Sequence, residues 1–314
     1  MPESQSNKNV NEGSSVLITG GSGLIGRYLT SLLLTEGYKV SHLSRNSNQF
    51  GRIRVYRWDP EKKFVDPEIF DGIDYIIHLA GANIGEKRWT KKRKDEITSS
   101  RIDSAKLLYD TVSTNHIKIK AFISASAIGY YGSRYTEDIY REKDPPSEDF
   151  LGTTCRLWEE AADHFTRINV RTVKIRTGVV IEKSDSALSK LLIPARVGIY
   201  PRLGSGRQYM PWIHIEDLCN IYIKAIRDKR MEGAFNAVAP QHVTQTEFMR
   251  SLAKAMNRTF FNPPVPSLLL RVFLGKMSEV ILGGSRVSSE KIEVAGYNFL
   301  YKKLDEAIAN VLTQ

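Results

Sequence analysis

Glycines 20, 23 and 26 sit in the run Val16-Leu17-Ile18-Thr19-Gly20-Gly21-Ser22-Gly23-Leu24-Ile25-Gly26. Their spacing suits one task, holding a pyrophosphate. Gly20 permits a tight turn off a strand, and Gly23 lets the backbone come close to phosphate. Gly26 lets the following helix pack against the sheet. Leu24 and Ile25 open that helix, whose unpaired N–H groups attract an anion. Such spacing is weak evidence alone, and it gains weight from the apolar strand before it and the helix after it. The next predicted strand ends in Leu43-Ser44-Arg45-Asn46, with no carboxylate to accept from a ribose 2′-hydroxyl. The fixed charge of Arg45 and the Ser44 hydroxyl suit a 2′-phosphate instead, which favours NADP(H) over NAD(H). The plain alternative for Arg45 is a surface arginine.

A second group of reactive side chains lies in Ser124-Ala125-Ser126-Ala127-Ile128-Gly129-Tyr130-Tyr131-Gly132. Either phenol could be offered to a substrate, although one tyrosine reads better as a packed aromatic with its hydroxyl satisfied. Cys155 would need a nearby cation such as Arg156 to become reactive, and a buried helical cysteine is the simpler reading. Arg202 and Arg207, beside glycines 204 and 206, could grip an anionic substrate or stand solvated. His214, in Trp212-Ile213-His214-Ile215-Glu216-Asp217, could reach a cleft, but a structural histidine is the safer reading. The chain has no H-E-x-x-H, G-x-S-x-G, Walker loop or metal-ligand cluster, so hydrolase, NTPase and metal-site readings are weak.

The elements that must carry these residues follow an alternating rhythm. Strands are predicted at 16–19, 39–43, 53–58, 74–79, 121–124 and 171–176. Helices are predicted at 24–36, 90–114 and 151–167. With no short hairpins evident, this alternation predicts an α/β fold, a Rossmann-like doubly wound parallel sheet. Beyond about residue 180 the rhythm changes, with helices at 188–197, 215–227, 248–256, 268–282 and 304–312. The division expected is a tail at 1–13, a nucleotide-binding domain at 14–180 with a return segment near 207–236, and a smaller C-terminal α/β substrate region at 181–314.

The glycine run, His78-Leu79-Ala80-Gly81 and the Ser/Tyr run together resemble an extended short-chain dehydrogenase/reductase. In that superfamily a Ser at this strand end binds the reacting oxygen, and a Tyr-x-x-x-Lys pair supplies the acid/base. The resemblance makes Ser126 the nearest candidate serine, with Gly129 resembling a one-residue insertion. A strand-end serine bonded to local backbone is its plain alternative. The Tyr-x-x-x-Lys pair is missing: the helix reads Phe150-Leu151-Gly152-Thr153-Thr154-Cys155-Arg156-Leu157-Trp158-Glu159-Glu160-Ala161-Ala162. Cys155-x-x-Trp158-Glu159-x-Ala161-Ala162, the Tyr130-Tyr131 doublet and the run from Gly204 to Leu218 narrow the likeness. They resemble the atypical extended members grouped as the YfcH-like epimerase family, described as NAD-dependent or nucleoside-diphosphate-sugar epimerases. The resemblance spans Val16 to about Val311, including a C-terminal segment near 262–311. It implies NADP(H) contacts from Ser44, Arg45, Leu79, Ala80, Gly81, Glu96, Arg101 and the backbone near Val179. Proton transfer would fall to Tyr130, Tyr131 or water. The missing pair leaves a second reading open, an NADP(H)-binding protein that reports redox state to a partner.

Composition narrows the setting. At 314 residues, with 41% hydrophobic and 25% charged residues, the chain has an ordinary soluble make-up. No apolar run approaches the roughly 20 residues of a membrane span. Cys155 and Cys219 form no disulfide framework, which suggests a cytoplasmic setting. The net charge of +10 and the run Lys87-Arg88-Trp89-Thr90-Lys91-Lys92-Arg93-Lys94 raise the question of nucleic acid. With Glu86, Asp95 and Glu96 alongside, a solvated or anion-attracting rim is the better reading. The partners expected are a polar or anionic small-molecule substrate, no membrane and no nucleic acid, with a homodimer allowed.

Overall fold

A computed structural model describes residues 13–45, 53–184 and 186–313. The expected tail at 1–13 therefore lies outside the described residues, Gly13 excepted. The first half runs β1 (Ser15–Thr19), α1 (Leu24–Thr35), β2 (Lys39–Ser44), β3 (Arg54–Asp59), β4 (Phe64–Val65), β5 (Tyr75–His78), α2 (Lys91–Thr114) and β6 (Ala121–Ala127). There follow β7 (Ile139–Tyr140), α3 (Phe150–Asp163), β8 (Arg171–Thr177), β9 (Val179–Ile181), α4 (Ala187–Ala195), β10 (Arg202–Leu203), β11 (Trp212–His214) and α5 (Ile215–Arg227). The chain continues through β12 (Gly233–Ala237), α6 (Gln245–Ala255), β13 (Pro264–Val265), α7 (Ser267–Leu274), α8 (Ser278–Leu282), β14 (Arg286–Val287), α9 (Glu290–Val294) and α10 (Leu304–Thr313).

Eight strands form one sheet in the order β12-β8-β6-β5-β1-β2-β3-β4. All neighbours are parallel except β3 and β4, which pair antiparallel after the Asp59-Pro60 turn. That small hairpin departs from the all-parallel expectation. The strand order reverses between β1 and β5, where a doubly wound sheet opens a crevice at its carboxyl edge. Apolar residues on both faces of β1, β5 and β6 account for their central position: Val16, Ile18 and Ile77 pack with α1 and α5, and Leu17, Ile76 and Phe122 pack toward α2.

A separate core joins α4, α6 and α10 through Leu192, Tyr200, Trp212, Phe248, Leu252 and Ile308. This region is tied back to α5 by the buried carboxylate of Asp217, which accepts from Tyr297 Oη (2.7 Å) and the N–H groups of Leu300 and Tyr301 (2.8 and 3.0 Å). The helix expected over 268–282 is divided, because Gly275 takes φ +60 between α7 and α8.

Candidate functional site

The carboxyl edge between β1 and β5 is assembled from bare backbone. Gly20 has φ +71, and a Cβ there would meet the Ala80 nitrogen and the Leu79 carbonyl carbon at 3.0 Å. A Cβ on Gly26 would stand 2.4 Å from the Gly20 oxygen. Gly23 N-caps α1 with no side-chain acceptor, so the first turn presents its N–H groups uncovered. Gly21, which sequence spacing passes over, is equally constrained: a Cβ would lie 2.5 Å from the His42 ring. His42 is itself held by Thr30 Oγ1 at 2.8 Å, and burial pushes its pKa down to about 4.

A buried relay fixes the facing strand. His78 Nδ1 lies 2.8 Å from Thr19 Oγ1 and Nε2 lies 3.1 Å from Ser104 Oγ. Ser104 donates to the Ser100 carbonyl at 2.6 Å. Its oxygen therefore accepts, which assigns the imidazole proton to Nε2 and makes Thr19 the donor to Nδ1. Thr19 Oγ1 in turn accepts from the N–H groups of Leu79 and Ala80, both at 3.2 Å. Burial holds His78 neutral, with a pKa lowered to about 4.

The other expected nucleotide-side residues surround this edge. Arg45 is exposed at the end of β2. Glu96 is held below the usual carboxylate range chiefly by its bond to Arg93, with Arg45 among the cations that act on it. The Arg101 guanidinium lies against Gly81, donates to the carbonyls of Ala82 (3.1 Å) and Ile97 (2.8 Å), and stacks 5.0 Å from Trp158. It forms no ion pair among the described residues. The Val179 nitrogen donates to Pro211 O at 2.8 Å.

The wall at the ends of β6 and β8 has a different character. Strand register sets Ser126, Arg176 and Asn236 side by side on three neighbouring strands. Helix α3 brings Glu159 over that row on the face that carries Cys155, Trp158 and Ala162. Glu159 takes Arg176 in a fork, at 2.8 Å to Nε and 2.9 Å to Nη2, and accepts from Ser126 Oγ at 2.6 Å. Arg176 Nη1 donates to Tyr131 Oη (2.9 Å), and Tyr131 donates to Asn236 Oδ1 (2.7 Å). The Arg176 and Glu159 side chains are 3% and 7% exposed, so the charges are desolvated and mutually satisfied. Burial raises the Tyr131 phenol, against the opposing pull of Arg176.

Tyr130 occupies the edge of this network. It is half-buried, and the Arg176 guanidinium carbon lies 3.4 Å from its ring centroid. Burial raises its pKa while the Arg176 charge opposes that rise. Leu151 and Cys155 of α3 face Gly129, and burial pushes the Cys155 thiol up to about 12.

The remaining candidates stand apart from both clusters. His214 is fully buried and N-caps α5, with Nδ1 accepting from Glu216 N at 3.2 Å and its ring 3.9 Å from that of Tyr301. Arg202 is half-buried, with its side chain packed on Gly206, and Arg207 is exposed. Between them and α8, Gln208 Nε2 pins the loop by donating to Leu203 O (2.9 Å) and Ile281 O (3.0 Å).

The sheet order and the glycine turn at its reversal point define a Rossmann-like fold of the short-chain dehydrogenase/reductase type. The chain belongs to the NAD dependent epimerase/dehydratase family, which it matches over residues 16–237, and residues 265–311 match a domain of unknown function, DUF1731. It is 32% identical over 300 residues to the epimerase family protein YfhF of Bacillus subtilis, covering 95% of this chain and 98% of that one. The human epimerase family protein SDR39U1 (isoform 2), solved with NADPH, superposes with a TM-score of 0.84 at 29% identity, over 96% of this chain and 99% of that chain. A nucleoside-diphosphate sugar epimerase from Corynebacterium glutamicum gives 0.77 at 30% identity, over 96% of this chain and 58% of that chain.

Proposed function

We propose that the protein is an NADP(H)-dependent oxidoreductase or epimerase acting on a polar, nucleotide-sugar-like substrate. The observation that carries this reading is the side-chain-free cradle at Gly20, Gly21 and Gly26, where any Cβ would strike backbone or the His42 ring. Such a surface fits a pyrophosphate laid against a helix N-terminus. Gly20, Gly23, Leu24, Ile25 and Gly26 would hold it, with Ser44 and Arg45 at the 2′-phosphate. Leu79, Ala80, Gly81, Glu96, Arg101 and Val179 would line the rest. The NADPH in the human relative supports the same preference. When bound, the nicotinamide supplies hydride transfer.

The chain's own contribution to the reaction is a proton and an orientation. Tyr130 is the phenol assigned to the substrate. Its cation lies beneath the ring, in Arg176, rather than one helical turn away. That charge opposes the rise that burial imposes on the Tyr130 phenol. Ser126 directs its hydroxyl at Glu159 and so steadies the wall, and Tyr131 does the same through Asn236. Arg202 and Arg207 are the groups offered to an anionic substrate.

Turnover of NADPH across a panel of carbonyl compounds and nucleotide sugars tests the reading. Tyr130→Phe should lower kcat about 100-fold, the usual worth of a general acid, with NADPH affinity unchanged. Wild-type turnover in that variant would remove Tyr130 from the chemistry. The second reading, a redox-reporting NADP(H) binder, is favoured by the absence of any Tyr-x-x-x-Lys pair from α3. Tight NADPH binding with no turnover on any substrate would support it.

A further inference from the structure

Helix α7 has the sequence Ser-Leu-Leu-Leu-Arg-Val-Phe-Leu, and none of its residues is buried. Leu268, Leu269, Val272 and Phe273 recur at helical spacing on one face and stand 69%, 48%, 61% and 71% exposed. A helix this apolar ordinarily turns such a stripe into the core. Further exposed apolar side chains lie on the segments that pair ahead of α7. Ile199 bridges to Phe261, β10 pairs with β13, and the chain then enters α7, while Ile193, Val197 and Phe261 are 68%, 72% and 60% exposed.

The basic run of the sequence lies between these two apolar segments. Lys190 of α4 reaches Gly85 O at 3.0 Å, and Arg88 reaches Val272 O of α7 at 3.4 Å. Within the run, buried Arg93 engages both Glu86 (3.0 Å) and Glu96 (2.8 Å). Lys87 also lies 4.0 Å from Glu86, which leaves Arg88, Lys91, Lys92 and Lys94, with Arg271 and Lys276 alongside, while Asp95 and Asp103 are the acids of the adjoining groove. An open groove of ≈ 730 Å³ beside them is lined by Lys91, Lys94 and Lys276 together with Trp89, Phe150 and Asp95. No described helix is long and apolar enough to cross a bilayer.

We propose that the α7 face, with the end of α4 and the 87–94 segment, docks on an anionic phospholipid surface. The four exposed side chains of α7 enter the boundary between headgroups and acyl chains, and the lysines and arginines meet the headgroup charges. Charge complementarity selects this occupant over a second copy of the chain. Two such faces would bring like-charged rims together on molecules that each carry +10. This docking stands whether or not the catalytic reading above holds.

Sedimentation of the full chain with vesicles tests this. Vesicles containing phosphatidylserine should retain the protein, and vesicles of phosphatidylcholine alone should retain far less, with binding weakened by salt. Phe273→Asp should cut binding at least tenfold. Lys91→Ala and Lys92→Ala should each cut it about fivefold. All three side chains are exposed, so unchanged thermal midpoints are expected to accompany the losses. Failure of the wild-type chain to bind either vesicle, equal binding to both, or undiminished binding by Phe273→Asp overturns the proposal. Self-association of the free chain that Phe273→Asp abolishes would overturn it too, and would make the face a contact between copies.

Discussion

The two sides of the cleft solve the problem of buried polarity in opposite ways. At the β1/β5 edge, specificity lies in what is absent: glycines leave backbone bare, and the neighbouring histidines are neutral and bonded to hydroxyls. At the β6/β8 wall, a full ion pair is buried and wrapped by Ser126, Tyr131 and Asn236. The first arrangement keeps donors uncovered for a ligand. The second spends its donors on itself and leaves Tyr130 at its margin, its ring against the Arg176 guanidinium. The proposed cofactor site is thus a matter of backbone geometry, and the proposed catalytic role of Tyr130 depends on what the ion pair leaves available.

Breaking the wall should have the largest effect on stability. Arg176→Met strands the Glu159 carboxylate in a desolvated site and removes a donor from Tyr131, so it should cost about 3–5 kcal/mol in chemical denaturation. The double variant Glu159→Leu/Arg176→Met should recover much of that loss, because no charge remains buried. A loss under about 1 kcal/mol for the single variant would show that the pair is solvated.

On the other side, Gly26→Ala should cost up to about 3 kcal/mol, the range for forcing an atom into packed space. It should also weaken NADPH binding, since the helix start must move away from Gly20. The His78 relay gives a pH signature. Its folded pKa, about 4, lies below the ordinary value of 6.5, so its contribution is complete above pH 6.5 and is lost as pH falls toward 4. At pH 5 the loss should approach about 2 kcal/mol for this histidine. His42 and His214 are shifted in the same direction. Thermal melts of His78→Gln should therefore fall less steeply between pH 7 and pH 5 than those of the wild type.

The same contrast explains what could be read from the chain. The glycine turn was legible because φ and Cβ demands act over a few residues, although Gly21 escaped notice since its constraint comes from the His42 ring across the fold. Most helices and the central strands were legible from apolar spacing. The short strands β9, β11 and β12 were not, since three to five residues carry no period. The Glu159–Arg176 pair was invisible because it depends on strand register and on α3 crossing that row. One signal pointed to it: a glutamate on the apolar face of α3 that carries Cys155 and Trp158.

The proposed site binds NADP(H), with Arg45 at the 2′-phosphate. Titration calorimetry of NADPH and NADH against wild type and Arg45→Ala tests it most directly. NADPH should bind at least about tenfold more tightly than NADH, as one charge-assisted contact of about 1.4 kcal/mol requires. Arg45→Ala should bring the two affinities together by weakening NADPH alone. Equal affinities in the wild type, or a preference untouched by Arg45→Ala, would contradict the account.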